Sequence, residues 1–273
     1  MSHLLPLLLA APTNPHFCVV GAVLVLTNLR DLEPAHVSAT LRLTIVLADV
    51  PRLKNGEERN YDVKFRNRVD AGNLLADRLA KTEHRPAIVL GIPRGGIIVA
   101  DIVARKLGID FDIVIPRKLG APENEELAIG AVMEDGTSYI NSYMVNALRV
   151  PPDYIENEMA RQVREIRRRS AAYRKSVSYS IAGKNAILVD DGIATGATVI
   201  ASARWARKRN PSRLIVAVPV APPQSVDVLE QEVDSVIVLH TPQDFASVGQ
   251  FYEEFEPVSD DQVMQIMRSR GLL

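Results

Sequence analysis

The stretch that most restricts what this chain can become is residues 186–200, A-I-L-V-D-D-G-I-A-T-G-A-T-V-I. Ala186 to Val189 is an uninterrupted apolar run, the pattern of a strand buried on both faces. Two adjacent carboxylates follow, Asp190 and Asp191, and then small residues and hydroxyls from Gly192 to Thr198. From Val199 onward, Ile200, Ala203, Ala206 and Arg207 keep helical spacing, with Trp205 on the flank. A strand, a small-residue turn and a helix start make a cradle for an anion. Small side chains let backbone N–H groups approach a phosphate, and the helix N-terminus adds partial positive charge. Thr195 and Thr198 can donate hydroxyl hydrogen bonds to the same group.

The cradle is not a P-loop, since Gly196 is followed by Ala197 rather than by Lys and Ser or Thr. It is not a dinucleotide fingerprint either, because G-x-G-x-x-G is absent and the acids precede the loop. Paired acids before a phosphate cradle suit a sugar phosphate, with the carboxylates accepting hydrogen bonds from two vicinal hydroxyls. Neighbours on a regular strand point to opposite faces, so this requires the chain to be turning by Asp191. The plainer alternative is that the acids cap the turn and the helix.

V-D-D-G-I-A-T-G-A-T resembles the phosphoribosyl-diphosphate (PRPP) motif of type I phosphoribosyltransferases, in its apolar lead-in, both acids and the Thr-Gly-x-Thr loop. The resemblance implies that Asp190 and Asp191 hold the ribose hydroxyls and that Ala194, Thr195, Gly196, Ala197 and Thr198 bind the 5′-phosphate. The 6-oxopurine branch of the family carries an Asp before the Thr-Gly. Ala194 stands there, as in adenine, orotate and uracil enzymes, which argues against a hypoxanthine or guanine substrate.

Composition sets outer bounds. The 273 residues allow one large α/β domain, or one domain with an extension, and 47% hydrophobic content suffices for a core. A net charge of −1 does not suggest a nucleic-acid binder. The single cysteine, Cys18, excludes a disulfide framework and fits a reducing cytoplasm. The five histidines are scattered, none at zinc spacing.

Residues 1–60 fall before the family resemblance and read as an N-terminal extension, with a small β-element as the alternative. Their apolar runs are shorter than the roughly 20 residues a membrane span needs, and only His3 precedes the first, where a signal peptide carries basic residues. The domain is expected over 61–273. A helix is expected over 65–81, with Phe65, Val69, Leu74, Leu75 and Leu79 as the core stripe and Arg66, Arg68, Asp70 and Arg78 on the polar side. A strand over 86–92 leads into Gly91-Ile92-Pro93-Arg94-Gly95-Gly96 and a helix over 97–107, a second strand–turn–helix anion site. The family places its pyrophosphate loop here, which implies that Arg94, Gly95 and Gly96 bracket the diphosphate.

A third strand over 112–116 precedes a polar segment with Gly and Pro that reads as a mobile loop, within 117–136. The resemblance implies that this loop closes over the reacting centre, with Arg117 and Lys118 facing the diphosphate and Glu126 as a loop carboxylate. A strand over 127–134 turns at Asp135-Gly136 into a second over 138–141. A long helix over 151–175 has Ile155, Met159, Val163 and Ile166 inside. Its basic face of Arg161, Arg164, Arg167, Arg168, Arg169, Arg174 and Lys175 is interleaved with glutamates as a solvated surface is. Strands over 213–220 and 235–239 follow, and then four aromatics in a hood-like C-terminal segment, of which Phe245 and Tyr252 are candidates to stack on a base.

The strand–helix alternation argues an α/β domain, and the resemblance makes it a three-layer α/β/α fold, mostly parallel with one antiparallel strand. The implied reaction is displacement of pyrophosphate from C1 of PRPP by a small nitrogenous acceptor, with Asp190, Asp191, Arg94 and Lys118 as catalytic groups. Mg²⁺ is the implied cofactor, carried by PRPP, with no protein ligand directly assigned and Asp190 and Asp191 as candidates, and a homodimer is the implied assembly. The competing reading is a non-catalytic PRPP-binding regulator of nucleotide metabolism.

Overall fold

The computed structural model describes residues 64–81, 86–174 and 181–273. The expected extension over 1–60 and its alternative β-element lie outside the described residues. The first helix, α1 (Arg68–Leu79), is capped by the Asn67 side chain, which accepts from the Val69 and Asp70 amides. Strand β1 (Ala87–Gly91) leads into α2 (Gly96–Leu107), and β2 (Asp110–Ile113) follows. Next come β3 (Arg117–Ala121), β4 (Asn124–Val132), β5 (Ser138–Ile140), α3 (Ser142–Ala147) and α4 (Pro152–Tyr173). Strand β6 (Asn185–Val189), α5 (Ala197–Arg207), β7 (Arg213–Val220), α6 (Pro223–Leu229) and β8 (Ser235–His240) complete the alternation, and α7 (Asp260–Ser269) ends it.

The main sheet is parallel with order β2-β1-β6-β7-β8. Alternate residues of its central strands enter two different cores. Val89, Ile187, Val189, Ile215 and Ala217 face a cluster that includes Leu75 of α1, Ile97 of α2, Ile166 of α4 and Val263 of α7. Ile88, Leu90, Ala186, Leu188 and Val216 face a cluster built from α5, with Trp205 and Leu229. Helices therefore cover both faces, which is why β1, β6 and β7 read as unbroken apolar runs. Trp205 is fully buried, so it is a core residue and not a flank of α5.

Antiparallel pairing is collected in a separate three-stranded sheet, β3-β4-β5. The segment expected to be a mobile loop starts with this hairpin: Arg117 pairs with Val132 and Leu119 with Gly130, and Leu119 is fully buried. One apolar residue among polar neighbours carries too little periodicity to mark a strand. Glu126 falls within β4, and its side chain lies outside the described residues.

Two helices are rotated relative to their expected stripes. In α1 the buried positions are Arg68, Ala71, Gly72, Leu75, Ala76 and Leu79, whereas Val69 is 46% and Leu74 47% exposed. In α4 they are Glu158, Gln162, Ile166, Ser170 and Tyr173, with Ile155, Met159 and Val163 only partly covered. Arg174, expected on the basic face, turns inward to pair with Asp112. Large apolar side chains define the expected stripes, but the buried faces combine Leu75 and Leu79 with small residues in α1, and Ile166 and Tyr173 with polar residues in α4. Replacing Leu75 with Ala should therefore cost about 2–5 kcal/mol. Leu74→Ala should stay within about 0.5 kcal/mol of the parent. Denaturant unfolding of the two variants checks this, and equal losses would contradict the rotation.

Candidate active site

The sheet order places the site. From β1 the chain moves outward to β2, and after returning at β6 it moves the other way through β7 to β8. The loops after β1 and β6 thus leave neighbouring strands, paired Gly91 to Val189, at the switch point where open α/β sheets bind ligands.

These two loops touch. Strand β6 ends at Val189, so both acids lie beyond the regular pleat. A Cβ on Gly95 would fall inside the Asp191 carboxylate, and one on Gly96 would lie 2.5 Å from Asp190 Oδ1. Glycines 95 and 96 are therefore where the loop after β1 seats the acid pair. The Pro93–Arg94 peptide between β1 and these glycines is cis.

The acids have different surroundings. Asp190 Oδ1 accepts from the Asp191 amide at 2.9 Å. Burial, followed by the neighbouring Asp191 carboxylate, holds the Asp190 carboxyl well above the usual carboxylate range, and Lys118 works against that rise. Asp191 forms an ion pair with Arg68, Nε to Oδ2 at 2.7 Å, with both side chains largely buried. Arg68 also donates from Nη1 to the Glu256 carbonyl at 2.8 Å and lies over the Phe255 ring. Tyr252 donates its hydroxyl to the Asp191 carbonyl at 2.6 Å. Burial raises the Tyr252 phenol, with Asp191 adding to the effect.

Arg68 departs from its expected place. The apolar stripe puts it on the polar side of the helix, and in the structure it pairs with Asp191. A signal for this exists in the chain, because positions 68, 71, 72, 75, 76 and 79 form one helical face whose other members are small or apolar. An arginine on such a face needs a buried partner.

A cavity of about 340 Å³ opens beside the loops. It gathers Arg94, Arg117, Lys118 and Thr198 from among the expected site residues, and α4 adds Arg161 and Arg169. Arg94 rests 3.7 Å from Asp260 of α7, which also accepts a hydrogen bond from Tyr173 at 2.6 Å. The loop after β6 is exposed at Thr195, and the Ala194 carbonyl is held by the Ser225 hydroxyl at 2.6 Å. Gly196 is left-handed, φ 77°, and Ala197 opens α5 two residues earlier than the spacing suggests.

The base-stacking candidates fare differently. Tyr252 is 5% exposed, stacked on Phe255 and against Phe65, so its ring faces are occupied by protein. Phe245 packs against Phe251. Backbone bonds from Phe65 to Phe251 and from Glu253 to Phe65 tie this C-terminal segment to the start of α1. The aromatics anchor that segment.

A family model described as the phosphoribosyl transferase domain matches residues 66–254. The chain belongs to this family. Two provisionally named phosphoribosyl transferases of Mycobacterium tuberculosis, from strains CDC 1551 / Oshkosh and ATCC 25618 / H37Rv, are each 38% identical over 204 residues, or 74% of this chain. That match takes in 46% of each relative, so the chain spans about half the length of the curated relatives it matches. Among solved structures, TT1426 from Thermus thermophilus is 44% identical, with 76% of this chain and 98% of that one covered and a TM-score of 0.64.

The contact between the loops is testable without any ligand. In a double-mutant cycle of Gly95→Ala and Asp191→Ala, the methyl and the carboxylate compete for one place. The two changes should couple by about 0.5–3 kcal/mol in unfolding free energy. Additive effects would mean that the loops do not meet.

Proposed function

We propose that this phosphoribosyl transferase family member transfers the phosphoribosyl group of PRPP to a nitrogen acceptor, a nucleobase other than a 6-oxopurine. The observation that carries the reading is the seating of Asp190 and Asp191 against Gly95 and Gly96. It sets an acid pair between two strand–turn–helix anion sites, one for each end of a ribose phosphorylated at C1 and C5. Ala194 to Thr198 would hold the 5′-phosphate through backbone amides and the hydroxyls of Thr195 and Thr198. Arg94, Arg117 and Lys118, which share the cavity, would hold the diphosphate.

In the reaction the C1–O bond to diphosphate breaks and its electron pair leaves with the diphosphate. A nitrogen lone pair on the opposite face forms the new bond, with inversion, and the acceptor's proton passes to solvent. Positive charge develops on the ribose and negative charge on the leaving group. In this reading Lys118 and Arg94 would meet the negative charge, and Arg94 would give up a loose, exposed partner in Asp260. The acid pair lies where the ribose cation develops. Asp191 is kept in place by Arg68 and Tyr252, which leaves Asp190 as the less committed acid for sugar hydroxyls.

Asp190 and Asp191 suit Mg²⁺, which binds through one or two carboxylates plus substrate phosphates. When bound, the ion would neutralise part of the diphosphate charge. Among the described residues no group of three or more His, Cys, Asp and Glu side chains converges into an all-protein cage. No described helix is long and apolar enough to cross a membrane.

The deciding experiment is a panel of nucleobases with Mg-PRPP, read by mass spectrometry of the product. Transfer predicts pyrophosphate release that depends on one base and yields its nucleotide. Release without any base would indicate hydrolysis, and binding without turnover would indicate a sensor. Asp190→Asn tests the acid pair further. Removing an acid that burial and Asp191 disfavour should leave thermal stability unchanged or higher while turnover falls at least about tenfold. A variant with full turnover, or one that loses stability, contradicts this assignment.

A further inference from the structure

We propose that helix α4 is a wall of the diphosphate site, with Arg169 as a direct anion contact and Gln162 as the positioning residue for Arg117. The inference rests on the transferase reading above and goes beyond it, since α4 carries no recognised motif and its basic face reads from sequence as solvated surface.

The cavity is crowded with positive charge. Arg94, Arg117 and Lys118 come from the β1 loop and the β3 strand, and Arg161 and Arg169 come from α4. Among the described residues two carboxylates line it, Glu125 and Glu158, and Arg161 binds both. Arg161 is thereby more than neutralised, and this group's net charge of −1 stands against the cations Arg94, Arg117, Lys118 and Arg169. Arg169 is not neutralised, because its partner Glu165 is shared with Arg168, which makes two bonds to it at 2.8 and 2.9 Å. One carboxylate between two guanidiniums leaves a net charge of one, and of the pair only Arg169 lines the cavity. Burial and the nearby Arg169 both draw the Arg117 guanidinium below its ordinary value. Cations held together in a partly enclosed space repel one another, and a polyanion between them removes that cost.

The second line of support is a relay of buried polar groups. Gln162 and Glu158 are each 5% exposed on the inner face of α4. Arg117 Nε donates to Gln162 Oε1 at 2.8 Å, and Gln162 Nε2 donates to Glu158 Oε1 at 2.7 Å. Tyr154 adds a bond to the Gly120 carbonyl at 3.1 Å. Helix α4 thus fixes β3 and aims the Arg117 fork. A planar guanidinium held by its Nε is pre-organised for phosphate oxygens.

The test is calorimetric titration of the full chain with two probes in magnesium buffer, inorganic pyrophosphate and ribose 5-phosphate. Arg169→Gln and Gln162→Leu should each weaken pyrophosphate binding by at least about tenfold, the scale of one charged hydrogen bond. Ribose 5-phosphate, read by the other loop, should bind as in the parent, and Arg169→Lys should recover part of the pyrophosphate affinity. Arg207→Gln is the control. It removes an exposed guanidinium, paired with Asp234, that does not line the cavity, and pyrophosphate affinity should not change. If the parent binds both probes and Arg169→Gln binds pyrophosphate equally well, or if both probes weaken together, the role of α4 is overturned while the transferase reading stands. If the parent binds neither probe, both fall.

Discussion

The architecture depends on one close approach, that of the loop after β1 to the loop after β6. Two glycines on one side and two carboxylates on the other fit only because positions 95 and 96 carry no Cβ. Everything around the site follows from that contact. Parallel pairing of β1 and β6 brings the loops to the same edge, and the fit of glycine against acid then fixes their separation. Arg68 closes the arrangement by pairing with Asp191 from α1, while Tyr252 holds the same residue by its carbonyl. Residues far apart in the chain meet at one aspartate.

The electrostatics divide across this contact. Burial and like charge act on the acids, and Asp190 answers with a raised carboxyl while Asp191 has a dedicated cation. On the other side, cations from the β1 loop, β3 and α4 share a cavity with too few acids to neutralise them. The transfer proposed above would use this division, with the acids toward the sugar and the excess cations toward the leaving diphosphate. The polar residues responsible sit on elements with different jobs: α1 and α4 cover the sheet and also supply Arg68, Gln162 and Arg169.

Much of this is legible in the chain. The apolar runs before residues 91 and 190, each followed by small residues and a helix, mark two strand–turn–helix units, and the strand–helix alternation marks the layered fold. The aromatics of the C-terminal segment are visible but not their use, since Tyr252 spends both its ring and its hydroxyl on the protein. The β3 strand is obscured because pairing with β4 supplies what its own composition lacks. The rotation of α1 and α4 is obscured because a hydrophobic stripe weighs large apolar side chains, whereas the inner face of α1 includes small residues and that of α4 includes hydrogen-bonded polar ones.

The amino-acid order alone sets the local chemistry: which turns can approach an anion, which residues lack a side chain, and where paired acids stand. Those properties depend on neighbours in the chain and on the period of each element, so they can be read one segment at a time. The pairings belong to the folded molecule. Arg68 with Asp191, Arg117 with Gln162 and Arg94 with Asp260 join residues brought together by sheet order and helix rotation, and even where spacing marks a residue as inward, as for Arg68, it does not name the partner. A buried charge takes its meaning from its partner, and its partner is chosen by the fold.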